Sequence, residues 1–142
     1  MEDKSLFELI GGRPMLEQVH KTFYDKLYAH PWLKKFFGDV DQKIIEDQQT
    51  DFMTSNMGGG KIFSGSLPEK AHQHIYITND MFNLRQSILK ECILETGLSV
   101  DLVERWIKID EAFRKSIVKE NVDQCQKRFK SDEILYFPNS PS

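Results

Sequence analysis

Wherever the apolar positions of this chain form a pattern, they recur every three or four residues; nowhere do they alternate with strand period over a useful length. The longest clean stripe is Leu16, Val19, His20, Phe23, Tyr24 and Leu27, which fall on one helical face. Pro14 opens that helix at its tolerated first position. His30-Pro31 closes it, because the residue before a proline is pushed out of helical geometry. Ahead of it, Ser5-Leu6-Phe7-Glu8 reads as the capping box of a short first helix that Gly11-Gly12 stops. Behind it comes a short turn carrying Trp32, Leu33, Phe36 and Phe37, then Gly38.

Asp41 is placed to cap a third major helix, whose single stripe is Ile45, Gln48, Gln49, Phe52 and Met53. Gln48 suits an exposed stripe edge. Gln49 lies between Ile45 and Phe52, where a buried amide needs partners, so it either pairs with another polar side chain or faces a ligand. Met57-Gly58-Gly59-Gly60 ends this helix, and 61–65 reads as irregular chain. A short helix follows with Ser66 as N-cap, Pro68 in its first turn and Glu69 completing a capping box; it carries His72. Thr78-Asn79-Asp80 starts the next helix, expected from about Asp80 to Thr96 with Gly97 as C-cap. The last helix begins after Ser99 and runs through Val103, Trp106, Ile107, Ala112, Phe113 and Ile117, with Phe129 as its furthest end. The pattern predicts an all-α fold with a glycine-rich loop in the middle. Residues 1–130 form one domain, and 131–142 a partly mobile tail in which Ile134, Leu135, Tyr136 and Phe137 have the means to dock.

Composition narrows the function classes. A chain of 142 residues can bury a proper core as one domain. Its net charge of −3, with both signs mixed, argues against a nucleic-acid footprint. Ten phenylalanines suggest flat aromatic walls or plain packing. Cys92 and Cys125 lie in helix-like segments, and no Cys-x-x-Cys-His motif signals covalent haem attachment. The charged N-terminus lacks an apolar signal core, and no run of about 18 apolar residues is long enough to span a membrane. A cytoplasmic protein is expected, as a monomer or weak dimer.

Taken alone, His72 has two readings: an ordinary structural or surface residue, or a neutral imidazole on a short seated helix, suited to hold a haem iron. His74, two residues on, would point about 200° away on a continuous helix, so it is expected to face solvent or to stand behind the ligand. His20 and His30, at helix edges, look structural.

The ordered set Gly11-Gly12, Phe23-Tyr24, Phe36-Phe37, Gln49 with Phe52, Gly58-Gly59, and His72 with Ile77 and Phe82 resembles the truncated haemoglobins. These are the two-over-two globins, and the likeness is greatest to their first (N-type) group, from about Leu6 to Val118. The resemblance implies non-covalent haem b with His72 as proximal iron ligand. It implies Tyr24, Gln49 and Ile45 at the distal ligand position, and Phe23, Phe37, Gln48, Phe52, Met53, Phe82 and Arg85 around the haem. It places a ligand-gating aromatic near the position that Met53 holds, so a gate is doubtful here. Lys43, Lys61 and Lys70 are expected contacts for the haem propionates.

Arg85 departs from the apolar residue that the N-type group tends to have here. Three readings stay open: it snorkels to solvent, it pairs with a propionate or an acidic side chain, or it reaches a bound anionic ligand. The implied activity is binding of dioxygen, nitric oxide or carbon monoxide. Dioxygen-dependent nitric oxide removal, with Tyr24 and Gln49 as catalytic residues and an external reductase, shares that site. A haem-free helical interaction module is the reading from another class.

Overall fold

The structure, a computed structural model, describes residues 4–60 and 67–138. The first helix, α1 (Leu6–Ile10), begins as its sequence dictates: the Ser5 hydroxyl accepts the Glu8 N–H, and Gly11 ends it with φ +108°. α2 (Arg13–Ala29) buries Leu16, Val19, His20, Phe23, Tyr24 and Leu27, the whole predicted stripe. A single 3-10 turn over Leu33–Phe36 follows, capped by His30, whose Nδ1 accepts the N–H groups of Trp32 and Leu33. α3 (Gln42–Asn56) starts at Asp41, whose carboxylate accepts the Lys43 and Ile44 N–H groups. After it come α4 (Pro68–His72), α5 (Asn79–Leu94, capped by Thr78), α6 (Val100–Glu111, capped by Ser99) and α7 (Arg114–Ile117). Among the described residues there is no strand, only one isolated parallel bridge between Ile75 and Leu135.

Two helix pairs make the body. α2 packs on α3 and on α5, α5 packs on α6, and α1 closes over α6. Met57 ends α3, and Gly59 lets the chain turn back under α1: a Cβ there would stand 2.7 Å from Phe7 Cγ and 2.8 Å from Thr54 Cγ2. Only a residue without a side chain fits that approach.

Four expectations need correction. The short helix begins at Pro68 with Leu67 as its N-cap and no side-chain cap; Ser66 lies outside the described residues, as does Lys61. α6 stops at Glu111, and Ala112 is exposed. The buried register instead reads Val103, Trp106, Asp110. Beyond Val118 the chain does not run helical to Phe129. It makes a 3-10 turn over Val122–Gln124 and a second turn over 128–131, and it bonds along residues 73–77, so Cys125 is not in a helix. There the Lys119 N–H donates to Ile77 O at 2.9 Å, Gln126 to Gln73 O at 2.7 Å, Tyr76 to Leu135 O at 2.8 Å and Leu135 to His74 O at 2.8 Å. The backbone partners available along 73–77 explain why the helix is abandoned. The end of this segment docks: Phe137 sets its ring edge-on to Phe36 at 5.1 Å and accepts the Trp32 indole N–H.

Gly59→Ala is expected to destabilise the fold by about 1–3 kcal/mol through overpacking against Phe7 and Thr54. Urea unfolding should show a lower midpoint at an unchanged slope.

Candidate functional site

The apolar stripe of α3 is only half-buried, because it faces a cavity and not the core. What α3 presses against its neighbours is polar: Glu46, Thr50 and Thr54, with Met53. Thr50 Oγ1 shares a 2.7 Å hydrogen bond with His20 Nδ1 of α2, while Ile45, Gln49 and Phe52 line a cavity, Phe52 also packing on Phe113 at 5.1 Å. The cavity has a volume of about 730 Å³, within the roughly 300–1,000 Å³ usual for cofactor sites. Its walls include Tyr24 from α2, Phe37 from the turn, Ile45, Gln48, Gln49, Phe52 and Met53 from α3, His72 from α4, and Phe82 and Arg85 from α5. Phe23 is fully buried and not on the wall. It stands behind Tyr24, with ring centroids 4.9 Å apart.

His72 is held as a metal-binding imidazole would be. Its Nδ1 lies 2.7 Å from Pro68 O. A carbonyl can only accept, so Nδ1 carries the proton and Nε2 keeps its lone pair. Burial pushes this imidazole down to about 4, so it is neutral at physiological pH. From below, the Lys119 ammonium donates to His72 O at 2.9 Å, Ile75 O at 2.8 Å and Ile117 O at 3.1 Å, fixing the turn that follows His72.

His74 does not face solvent. α4 ends at His72, so the helical angle between the two residues does not apply. His74 is buried at 7 % exposure with its Nδ1 enclosed and unpartnered. It lines the cavity too, yet the enclosed nitrogen is turned away from open space.

Tyr24 packs edge-on against Phe37, with centroids 6.1 Å apart, and burial pushes its hydroxyl up to about 12. It therefore keeps its proton and remains a donor. Arg85 does not snorkel. Its Nη1 donates to both carboxylate oxygens of Asp110, at 2.9 and 3.0 Å, while Gln86 Nε2 donates to the same carboxylate at 3.2 Å. The guanidinium lies over the rings of Phe23 and Phe82, at 5.3 and 5.6 Å from their centroids. Asp110 was missed in the sequence, although its place on the Val103–Trp106 register marks it as a buried acid in need of a cation.

The cavity is closed on another side by the C-terminal segment, through Arg128, Asp132, Leu135 and Phe137. Of the lysines expected at propionates, Lys43 pairs instead with Asp47 at 2.7 Å, and neither Lys43 nor Lys70 reaches the wall. Among the described residues the cations that do are Lys35, Arg85 and Arg128.

The profile of the family described as bacterial-like globin matches residues 5–119. The chain belongs to that family. A Group 1 truncated hemoglobin from Tetrahymena pyriformis is 27% identical over 115 residues, covering 81% of this chain and 95% of that protein. Group 1 truncated hemoglobin GlbN of Mycolicibacterium paratuberculosis is 28% identical over 102 residues, or 72% of this chain and 75% of its own. The crystal structure of the T. pyriformis protein in its Fe(III) form matches with a TM-score of 0.77 at 26% identity, over 82% of this chain and 100% of that one. The resemblance to truncated haemoglobins read from the sequence therefore holds, as does the two-over-two helical fold. So does the cofactor class, haem b without covalent attachment. The residues present fit it: a large cavity with aromatic walls, and one wall imidazole whose donor is already committed. Among the described residues no helix is long and apolar enough to cross a membrane.

Fully buried His20 gives this globin a pH dependence of its own. Burial, with the Arg85 charge nearby, pushes its imidazole down to about 3 from an ordinary 6.5. Below the ordinary value the unfolded chain takes up a proton that the folded chain refuses. Stability is therefore full above about pH 6.5 and falls as pH drops toward about 3. His20→Leu is expected to flatten that fall by about one proton, or about 1.4 kcal/mol per pH unit, in denaturant melts at stepped pH.

Proposed function

We propose that the chain holds haem b through His72 and presents Tyr24 and Gln49 to a diatomic ligand: dioxygen, nitric oxide or carbon monoxide. The observation that carries this reading is the Nδ1 bond from His72 to Pro68 O, beside a cavity of haem-binding size. When bound, haem supplies an iron that takes a diatomic ligand. The protein's own part is to hold the imidazole in one tautomer, to exclude water with Ile45, Phe52, Met53 and Phe82, and to offer donors. His74 is a weaker choice for iron, because none of its described hydrogen bonds fixes a tautomer.

Tyr24 is a permanent O–H donor at physiological pH, and Gln49 can donate through its amide or orient the tyrosine hydroxyl. Ile45 has no group to compete. Lys35 is the wall cation left for the haem carboxylates, in place of Lys43 and Lys70, because Arg128 is paired with Asp132 through Nε at 2.9 Å and Nη2 at 3.1 Å. Dioxygen-dependent removal of nitric oxide uses the same residues, and it requires electrons from a reductase supplied separately. Two free thiols, Cys92 and Cys125, suit a reducing cytoplasm.

Absorption spectra of the oxidised, reduced and carbon monoxide-treated protein test the ligand assignment. Wild type should show a haem band that carbon monoxide shifts, and His72→Ala should lose or alter it. A protein that takes up no supplied haem would instead be a helical module. Tyr24→Phe is expected to speed dioxygen loss roughly ten- to a hundredfold, the scale of one hydrogen bond whose loss strands a buried partner. Stopped-flow dissociation measures this. An unchanged rate would make Tyr24 a core aromatic. Repeated turnover of nitric oxide with a reductant present, against a single-turnover response, separates enzyme from binder.

A further inference from the structure

Arg85 is placed to do more than balance Asp110. Its Nη1 alone satisfies both carboxylate oxygens. The Nε–H and Nη2 edge has no partner among the described residues, and this planar fork is the edge that matches an oxyanion with two parallel hydrogen bonds. A quarter of the side chain, 25 %, is open, and Arg85 lines the cavity. The plane of the fork is fixed by the faces of Phe23 and Phe82 and by Asp110. Because Phe23 packs directly on Tyr24, the cation belongs to the same wall as the tyrosine donor.

The opposing charge is accounted for. Asp110 also reaches the cavity wall, but its oxygens are occupied by Arg85 and Gln86, and its side chain is only 7 % open. Tyr24, Gln49 and Arg85 line one pocket, and of the three only Arg85 brings a full positive charge to it. An apolar side chain at position 85 would close the core without stranding a guanidinium fork in a low-dielectric wall.

We propose that Arg85, held by Asp110, makes this cavity a binding site for small planar oxyanions of the shape and charge of nitrite, beside the diatomic ligands. This rests on the haem reading above, since the anion's other partner is the ferric iron on the Tyr24 side.

The test is optical titration of the ferric, haem-loaded protein with nitrite, with imidazole as a neutral comparator. Arg85→Leu is expected to weaken nitrite roughly ten- to a hundredfold, the scale of one charge-assisted hydrogen bond, and to change imidazole binding less than about twofold. Because Arg85→Leu strands Asp110, the double variant Arg85→Leu/Asp110→Leu is measured alongside and should show the same selective loss. Unchanged nitrite affinity, or a parallel loss for imidazole, overturns the proposal. So does faster transfer of haem to apomyoglobin with the nitrite-to-imidazole ratio intact, because the guanidinium would then serve the haem's own carboxylates. Failure of wild type to take up haem overturns this proposal together with the haem reading. A haem protein indifferent to position 85 overturns this one alone.

Discussion

The bond from His72 Nδ1 to Pro68 O decides what the cavity can be. It commits one nitrogen to the backbone, points the chemistry to the other, and ties the imidazole to its own helix. That helix cannot hold itself. α4 has five residues and no side-chain cap, and a lone turn of this length is unstable in water. Its rigidity comes from elsewhere. Lys119 draws the carbonyls of His72, Ile75 and Ile117 onto one ammonium, and the chain from Lys119 to Leu135 supplies backbone partners to residues 73–77. His72 is thus positioned by a segment some fifty positions later in sequence.

The same division of labour shapes the rest of the cavity. In an ordinary amphipathic helix the apolar stripe packs on protein. In α3 the threonines and Glu46 are buried against protein, while Ile45, Gln49 and Phe52 are only half-buried and line the cavity. This works only because the buried polar groups find partners: Thr50 with His20, Thr54 with the Thr50 carbonyl, and Glu46 with Gln42. The apolar side chains on this face would complete a core with the flat ring of a haem. Between these layers lie His20, Arg85 and Asp110, a polar seam that keeps a histidine neutral and a guanidinium fixed.

How far the sequence could be read follows from these contacts. The buried stripe of α2 was legible in full, because it keeps a strict helical period between Pro14 and Pro31, although the helix opens one residue earlier, at Arg13. The stripe of α3 was legible as a pattern, and Gln49 as an anomaly within it. That the stripe faces a cavity required knowing that Thr50 and Thr54, unremarkable in a helix, take the packing role. Arg85 announced itself as a charge on an apolar register, but its partner lies on another helix, 25 residues away. The segment after Val118 was opaque. Its bonds are backbone bonds to residues 73–77, and such pairing leaves no periodic trace in side chains. His74 is buried and does not face solvent for a related reason: a helical angle holds only within a helix, and α4 ends at His72.

That last segment also bears on what likeness to relatives can carry. The family match ends at residue 119, while the wall of the cavity continues through Arg128, Asp132, Leu135 and Phe137. His72, Tyr24, Gln49 and the helix pairs lie within the matched part, and the far wall lies beyond it. Its hold is uneven: two backbone bonds bracket Leu135, and Phe137 is anchored by Trp32 and Phe36, whereas Ser131 and Glu133 are exposed. Stretches with few buried contacts open at lower free energy than the packed helices around them.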